Sequence, residues 1–140
     1  MASIEAERSN PMEASGFVDR PDYRVDILAR RNRVTASVGG QVLADSERCL
    51  LVDEQDHGLV FYFPPEDVRL DLFLPDARTT RCPFKGTATY RTYPGPTGDV
   101  LIWTYEDPYP EVARLAGYVA FYQDAVQIQV GVANPPVSGR

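Results

Sequence analysis

A thiol and an amine lie close together in the segment RCPFKGTATYRTY, which covers residues 81–93. Cys82 precedes Lys85 by three residues, and an ammonium group near a thiol favours the reactive thiolate form. Pro83 restricts the backbone of Cys82 to extended conformations, so we expect the pair at a corner next to a strand. Three interpretations of Cys82 follow: a buried structural thiol, which is the simplest, a wall of a pocket, or a reactive thiol.

Polar and aromatic residues also gather at the ends of other predicted strands. The motifs that carry them are ADSERC at 44–49, YFPPEDV at 62–68 and WTYEDPYP at 103–110. Aromatic walls with a few polar groups are typical of small-ligand sites, and lysine and arginine would favour an anionic or carbonyl-bearing ligand. The ligand-binding candidates are Arg48, Tyr62, Asp67, Cys82, Lys85, Tyr90, Trp103 and Tyr105.

Each candidate also has a simpler structural interpretation. In its sequence context, Asp45 is expected to cap a turn, and Asp67 is expected to cap the start of a helix. Buried tryptophan and tyrosine more often belong to a core than to a ligand site. The deciding question is whether one cavity is lined by Asp45, Asp67, Cys82, Lys85 and Trp103. The sequence assigns no catalytic residue.

No metal site and no cofactor are predicted. The two cysteines, Cys49 and Cys82, and the single histidine, His57, do not supply the four ligands that a structural zinc site needs. They form neither a CxxC pair nor a disulfide scaffold. Cys49 lies within an apolar strand and is predicted to be in the core, whereas His57 is predicted to lie in an exposed turn.

Length and charge exclude several classes of function. The 140 residues suit one domain, and a formal net charge of −6 disfavours nucleic acid as a partner. No run of about 18 apolar residues occurs, so no membrane span or membrane partner is predicted. Residues 1–16 lack the apolar stretch of a secretion signal, and the expected compartment is therefore the cytoplasm.

Period-two alternation predicts a mainly β fold, either an antiparallel β-barrel or a two-sheet β-roll with one or two short helices. We expect a flexible arm over 1–22, a single domain over 23–132 and a tail over 133–140.

Turn and helix signals mark the predicted connections. Gly39 and Gly40 predict a tight hairpin, and PGPTG predicts a second one between TATYRTY and DVLIWTY. YPEVARLAGY predicts a short helix. PPEDV is compatible with one helical turn, but the overlapping VRLDLFL alternates like a strand, so this segment stays ambiguous. YVAFYQDAVQIQV is interpreted as a hairpin of two strands.

Five motifs in this order resemble the bacterial domain-of-unknown-function 427 family, also described as nucleotidyltransferase-like. They are ADSERCLLVDE, YFPPEDV, CPFKGTATY, WTYEDPYP and AGYVAFYQDAV. The resemblance covers residues 23–132 and implies a small, mainly β domain. The family pattern falls on Asp45, Ser46, Tyr62, Pro64, Asp67, Val68, Cys82, Pro83, Lys85, Gly86, Tyr90, Trp103, Tyr105, Pro108 and Phe121, and Phe84 stands where relatives often have tyrosine.

Two functions of different classes stay open. The first is a domain that binds a small anionic or carbonyl-bearing ligand in a polar-aromatic pocket, with or without enzymatic activity. The second is a non-catalytic interaction module, with homodimers as one form. A thiol-dependent enzyme is less favoured. So is a nucleotidyltransferase, because neither a Gly-Ser turn before paired carboxylates nor a phosphate loop is present.

Overall fold

Two antiparallel sheets form the domain in a computed structural model that describes residues 14–132. The ten strands of this part of the chain are β1 (Val25–Ala29), β2 (Val34–Val38), β3 (Gln41–Ser46), β4 (Leu50–Glu54), β5 (Val60–Phe63), β6 (Leu74–Cys82), β7 (Gly86–Gly95), β8 (Gly98–Tyr105), β9 (Val119–Phe121) and β10 (Gln127–Val130). The larger sheet has the order β1-β4-β5-β9-β8-β7-β6, and the smaller sheet has the order β10-β2-β3.

The predicted fold class is confirmed, since the domain is mainly β with only short helices. Neither sheet closes on itself within residues 14–132, so the two-sheet form describes the domain better than a barrel does. Both predicted tight hairpins are confirmed. Gly39 and Gly40 join β2 to β3 with φ angles of 54° and 83°, which favour glycine. The pairing of β7 with β8 runs from Ala88 opposite Tyr105 to Gly95 opposite Gly98.

Among residues 14–132, four short 3₁₀ helices connect the strands, at Pro65–Asp67, Leu70–Leu72, Pro110–Leu115 and Gln123–Ala125. The helix predicted from YPEVARLAGY is confirmed, and the ambiguous PPEDV forms a helical turn. Each has a proline in its first turn, where the missing N–H is not needed. No helix among residues 14–132 is long and apolar enough to cross a membrane.

The hairpin predicted from YVAFYQDAVQIQV is wrong. Strand β9 lies between β5 and β8 in the larger sheet, whereas β10 pairs with β2 in the smaller one. The cause is Gln123, whose side-chain oxygen accepts the backbone N–H of Phe61 at 3.0 Å. Its amide nitrogen donates to the carbonyl of Leu59 at 3.1 Å. These bonds hold the turn against the start of β5, and the chain then crosses to the other sheet.

Both faces of the larger sheet carry a hydrophobic core. One core lies between the two sheets and includes Phe63, Ile102 and Phe121. The second core lies on the opposite face, where Tyr62 and Ala120 pack with Leu115 from the 3₁₀ helix. Because successive side chains of a strand point to opposite faces, neighbours such as Tyr62 and Phe63 enter different cores.

The described part of the predicted N-terminal arm lies against the domain. The backbone N–H of Gly16 donates to the carbonyl of Pro83 at 2.7 Å, and Ser15 Oγ donates to Glu111 at 3.0 Å. Phe17 meets Phe84 edge to face, with ring centroids 5.0 Å apart. Residues 1–13 of the predicted arm and the predicted tail, 133–140, lie outside the described residues.

Truncation of the second core is expected to destabilise the domain. Leu115 is fully buried, so Leu115→Ala should lower the free energy of unfolding by about 2–5 kcal/mol, because lost apolar contacts and a cavity both contribute. Urea unfolding measures this change. Leu59→Ala is the matched control, since Leu59 is 52% exposed and its truncation should change stability by less than about 0.5 kcal/mol. Equal effects of the two variants would contradict this account of the core.

Candidate functional site

A cavity of about 450 Å³ opens on the face of the larger sheet that bears the second core. It lies against β4, β5 and β8, and the turn between β6 and β7 closes one side of it. Its volume falls within the usual range of small-molecule sites, about 300–1,000 Å³.

Two aromatic residues meet across β9 to form one wall of the cavity. Tyr62 on β5 and Trp103 on β8 are both paired with Ala120 in the central strand. Because Ala120 is small, the two larger side chains lean over it. The indole N–H of Trp103 donates to the Tyr62 hydroxyl at 3.2 Å, and the rings are nearly perpendicular at 89°. This wall combines an apolar surface with one hydroxyl group.

A buried ion pair also lines the cavity. Lys85 Nζ donates a hydrogen bond to Glu54 Oε1, and each residue is only 7% exposed. The second oxygen, Glu54 Oε2, accepts the hydroxyl of Tyr23 at 2.6 Å. Glu54 ends β4 and Lys85 lies in the turn before β7, so the ion pair joins two segments that are 31 residues apart.

These contacts set the charges of the site. Burial alone would raise the pKa of Glu54, but hydrogen bonds from Lys85 and Tyr23 hold the pKa of this carboxyl below its ordinary value of 4.5. Burial and the bond to Glu54 raise the pKa of Tyr23 to about 12. Burial also raises the pKa of Tyr62 and of Tyr105. At neutral pH the site therefore holds a carboxylate and neutral tyrosine hydroxyls.

The thiol of Cys82 lies beside the ion pair. Its sulfur is 3.6 Å from Lys85 Nζ, and Tyr105 lines the same cavity. His57 lies at the mouth of the cavity, with its ring Nε2 3.6 Å from Glu54 Oε2. The cavity thus brings a thiol, an ammonium group, a carboxylate and an imidazole to one place.

The turn that carries Cys82 and Lys85 is held on both sides. Phe84 stacks on Tyr23 with ring centroids 3.7 Å apart and planes 9° from parallel. On the other side, the carbonyl of Lys85 accepts the N–H of Tyr109 at 3.1 Å. Gly86 closes the turn with a φ of 120°, a conformation that a side chain would strain.

Five of the eight predicted ligand-binding residues line this cavity: Tyr62, Cys82, Lys85, Trp103 and Tyr105. Tyr90 is buried in the same core, but its hydroxyl shares a hydrogen bond of 2.7 Å with Thr80 and it borders a separate cleft. The predicted turn therefore supplies a thiol and an amine to the cavity, as the sequence pattern indicated.

Arg48, Asp67 and Asp45 lie elsewhere, beside a second, more open cleft on the surface. Asp67 does not cap its helix, because its carboxylate accepts hydrogen bonds from Ser46 at 2.7 Å and from Arg48 at 3.2 Å. Asp45 pairs with Arg33 at 2.7 Å. These contacts join β3 to neighbouring loops. No group of three or more metal-ligating side chains is found among residues 14–132.

Four residues that line the cavity were not predicted from the sequence: Tyr23, Glu54, His57 and Phe84. Glu54 carried a signal, since in LLVDE it shares the period-two face of the buried residues Leu50 and Val52. A glutamate on the apolar face of a strand needs a buried partner. The sequence did not indicate which basic residue is that partner, because the pairing depends on the fold.

A two-sheet, mainly β domain with an ion pair beside an aromatic cavity is the class that the fold and the site define. The family model for a domain of unknown function (DUF427) matches residues 26–131. The chain therefore belongs to this family, and the resemblance predicted from the five motifs is confirmed. A comparison with curated proteins finds no match.

Removal of one partner of the buried pair is expected to destabilise the domain. Lys85→Met leaves the Glu54 carboxylate buried without its cation and should lower the free energy of unfolding by about 3–5 kcal/mol. Adding Glu54→Gln to this variant removes the unpaired charge and should restore most of the loss. Arg48→Met is the control, because its ion pairs are exposed and contribute at most about 1 kcal/mol. Urea unfolding that shows no rescue in the double variant would contradict the ion-pair assignment.

Tyr23 is expected to make stability fall in alkaline solution. The pKa of Tyr23 is raised to about 12 in the folded state, so between its ordinary value of 10 and about 12 the unfolded chain loses a proton that the folded chain keeps. Stability from this group is complete below pH 10 and is lost as the pH rises to 12. Urea unfolding across this range should therefore show a shallower decline for Tyr23→Phe than for the unmodified protein. Parallel declines would refute the bond between Tyr23 and Glu54.

Proposed function

We propose that the cavity binds a small ligand with a flat apolar body and a carbonyl oxygen. The observation that carries this proposal is the buried ion pair of Lys85 and Glu54, which opens into a space walled by aromatic side chains. Buried charges held beside a cleft are characteristic of functional sites.

The ion pair is difficult to explain by stability alone. Desolvation of two charges costs several kcal/mol per ion, and apolar side chains of similar volume often stabilise a core as well or better. The rest of this core is apolar and aromatic. A role in recognising a ligand accounts for charged groups at this place in it.

Two hydrogen-bond donors are available to a ligand oxygen. An ammonium group has three N–H donors. On Lys85, one is directed at Glu54 and one at Cys82, so one N–H is left for the ligand. The Tyr62 hydroxyl accepts from Trp103 and keeps its own proton for donation. A carbonyl oxygen, which has two lone pairs, can accept from both.

Charge balance favours a neutral carbonyl over an anion. Glu54 already neutralises Lys85, so a carboxylate ligand would place a second negative charge beside Glu54. A neutral carbonyl accepts from the ammonium group without adding charge to the cavity. Trp103, Tyr62 and Tyr105 supply the surface for a flat apolar body, each aromatic contact contributing about 0.5–1.5 kcal/mol beyond its buried area.

Fluorescence of Trp103 tests the proposal, because it is the only tryptophan of the chain and lies in the cavity wall. The probes are phenylacetamide, phenylacetate and ethylbenzene. Phenylacetamide should change the emission saturably at the lowest concentration, since it alone combines a neutral carbonyl with an aromatic ring.

The paired variant Lys85→Met/Glu54→Gln should lose the preference for phenylacetamide over ethylbenzene, and Arg48→Met should keep it. Unfolding temperatures measured with the same probes give an independent readout. If no probe changes the emission or the unfolding temperature of the unmodified protein, the proposal is wrong.

An interaction module, with homodimers as one form, is the second candidate. Leu59 and Tyr122 support it, because they are 52% and 42% exposed and flank Gln123 near the mouth of the cavity. Tyr122 also contacts Trp103, with ring centroids 4.9 Å apart. A partner that covers this patch would close the cavity. The cytoplasmic location and the absence of a nucleic-acid partner stay predictions.

Sedimentation equilibrium distinguishes the two candidates. A dimer formed through the patch should give a mass that rises with concentration and returns to that of a monomer in Leu59→Ser/Tyr122→Ser. Val42→Ser, at a distant exposed apolar residue, should leave the dimer intact. A constant monomer mass would exclude the homodimer and leave the ligand site unaffected.

A further inference from the structure

The two cysteines of the chain lie in opposite environments. Cys49 is fully buried in the core between the sheets, and burial raises the pKa of its thiol to about 12. Cys82 is partly exposed and faces the cavity. Cys49 is therefore an inert thiol in the same molecule, against which the chemistry of Cys82 can be measured.

A cation lies next to the sulfur of Cys82. The ammonium group of Lys85 is 3.6 Å from Sγ, and both residues line the cavity. The sulfur of a cysteine is the nucleophile of thiol chemistry, and an ammonium group next to it can stabilise the negative charge that develops on a carbonyl oxygen during attack. Lys85 is itself 7% exposed, so solvent screens this contact only weakly.

A ligand in the cavity would be held within reach of this sulfur. The donors proposed above for a carbonyl oxygen include Lys85, the residue that also contacts Sγ. A carbonyl bound there places its carbon near the sulfur and its oxygen near a cation. This is the arrangement that nucleophilic addition to a carbonyl needs.

We propose that Cys82 adds reversibly to an aldehyde bound in this cavity and forms a hemithioacetal. The inference rests on the proposed carbonyl ligand and names its reactive class. It makes Cys82 a catalytic or capturing nucleophile, with Lys85 as the group that stabilises charge on oxygen. Glu54 acts as a positioning residue, because it holds the ammonium group beside the sulfur.

The step balances without an oxidant or a reductant. A lone pair of Sγ forms the new S–C bond, and the π electrons of the C=O bond move to oxygen. The thiol loses one proton and the aldehyde oxygen gains one, with Lys85 beside the oxygen to donate it and solvent to return it to the amine. The reverse reaction releases the same thiol and aldehyde.

Phenylacetaldehyde labelled with ¹³C at the carbonyl tests this chemistry directly on the full chain. In the unmodified protein, a resonance of a carbon bonded to both sulfur and oxygen should appear and should disappear when the free aldehyde is removed. Cys49→Ala should keep this resonance, and Cys82→Ser should lose it. The saturated alcohol 2-phenylethanol should give no adduct.

Alkylation by iodoacetamide gives a readout that needs no ligand. Cys82, which is partly exposed in the cavity, should react, and the fully buried Cys49 should not react in the folded protein. In the variant Lys85→Met/Glu54→Gln, a neutral pair of similar size replaces the ion pair. Because the cation next to the sulfur is lost, the alkylation rate of Cys82 should fall about tenfold.

The outcomes separate this inference from the proposed function. Saturable quenching of Trp103 without the hemithioacetal resonance would overturn the inference and leave the binding proposal intact. An adduct that persists in Cys82→Ser would also overturn it, because the nucleophile would then be an amine such as that of Lys85, the only lysine of the chain. If neither quenching nor an adduct occurs, both proposals are wrong.

Discussion

The buried ion pair between Lys85 and Glu54 holds the site together. It joins the end of β4 to the turn before β7, which are 31 residues apart in the chain. Glu54 also accepts the Tyr23 hydroxyl, and the Tyr23 ring stacks on Phe84 of the same turn. One carboxylate thus fixes the ammonium group and an aromatic wall of the cavity. Loss of this contact would leave a buried charge without a partner, whose cost is a large fraction of the stability of a typical domain.

The larger sheet can carry such a cavity because its two faces are covered to different extents. The smaller sheet covers one face and builds a continuous apolar core there. The other face is covered only in part, by the 3₁₀ helix Pro110–Leu115 and by Phe17. The cavity lies in the space that remains. Ala120 contributes to this space, since its small side chain lets Tyr62 and Trp103 meet above it. The cavity therefore lies on the face of the larger sheet that the smaller sheet does not cover.

Local signals predicted more of the fold than of the site. Gly39 and Gly40 determine a turn through their own φ angles, and alternation determines the faces of β7 and β8, so these features could be predicted from short segments. The crossing of the chain after β9 depends on bonds from Gln123 to residues that lie 62 and 64 positions earlier, which no local pattern reveals. Lys85 and Trp103 line one cavity, whereas Asp67, which was grouped with them because it also follows a predicted strand, does not. Its carboxylate instead binds Ser46 and Arg48 at another surface.

Contact between the proposed ligand and the ammonium group of Lys85 can be observed directly, because the chain has no other lysine. Protein labelled with ¹⁵N at the lysine side chain should give one ammonium resonance from the cavity. Phenylacetamide should shift this resonance saturably, over the same concentrations that change the fluorescence of Trp103. A resonance that stays unchanged while Trp103 responds would contradict the proposed contact, because the ligand would then bind without the ion pair.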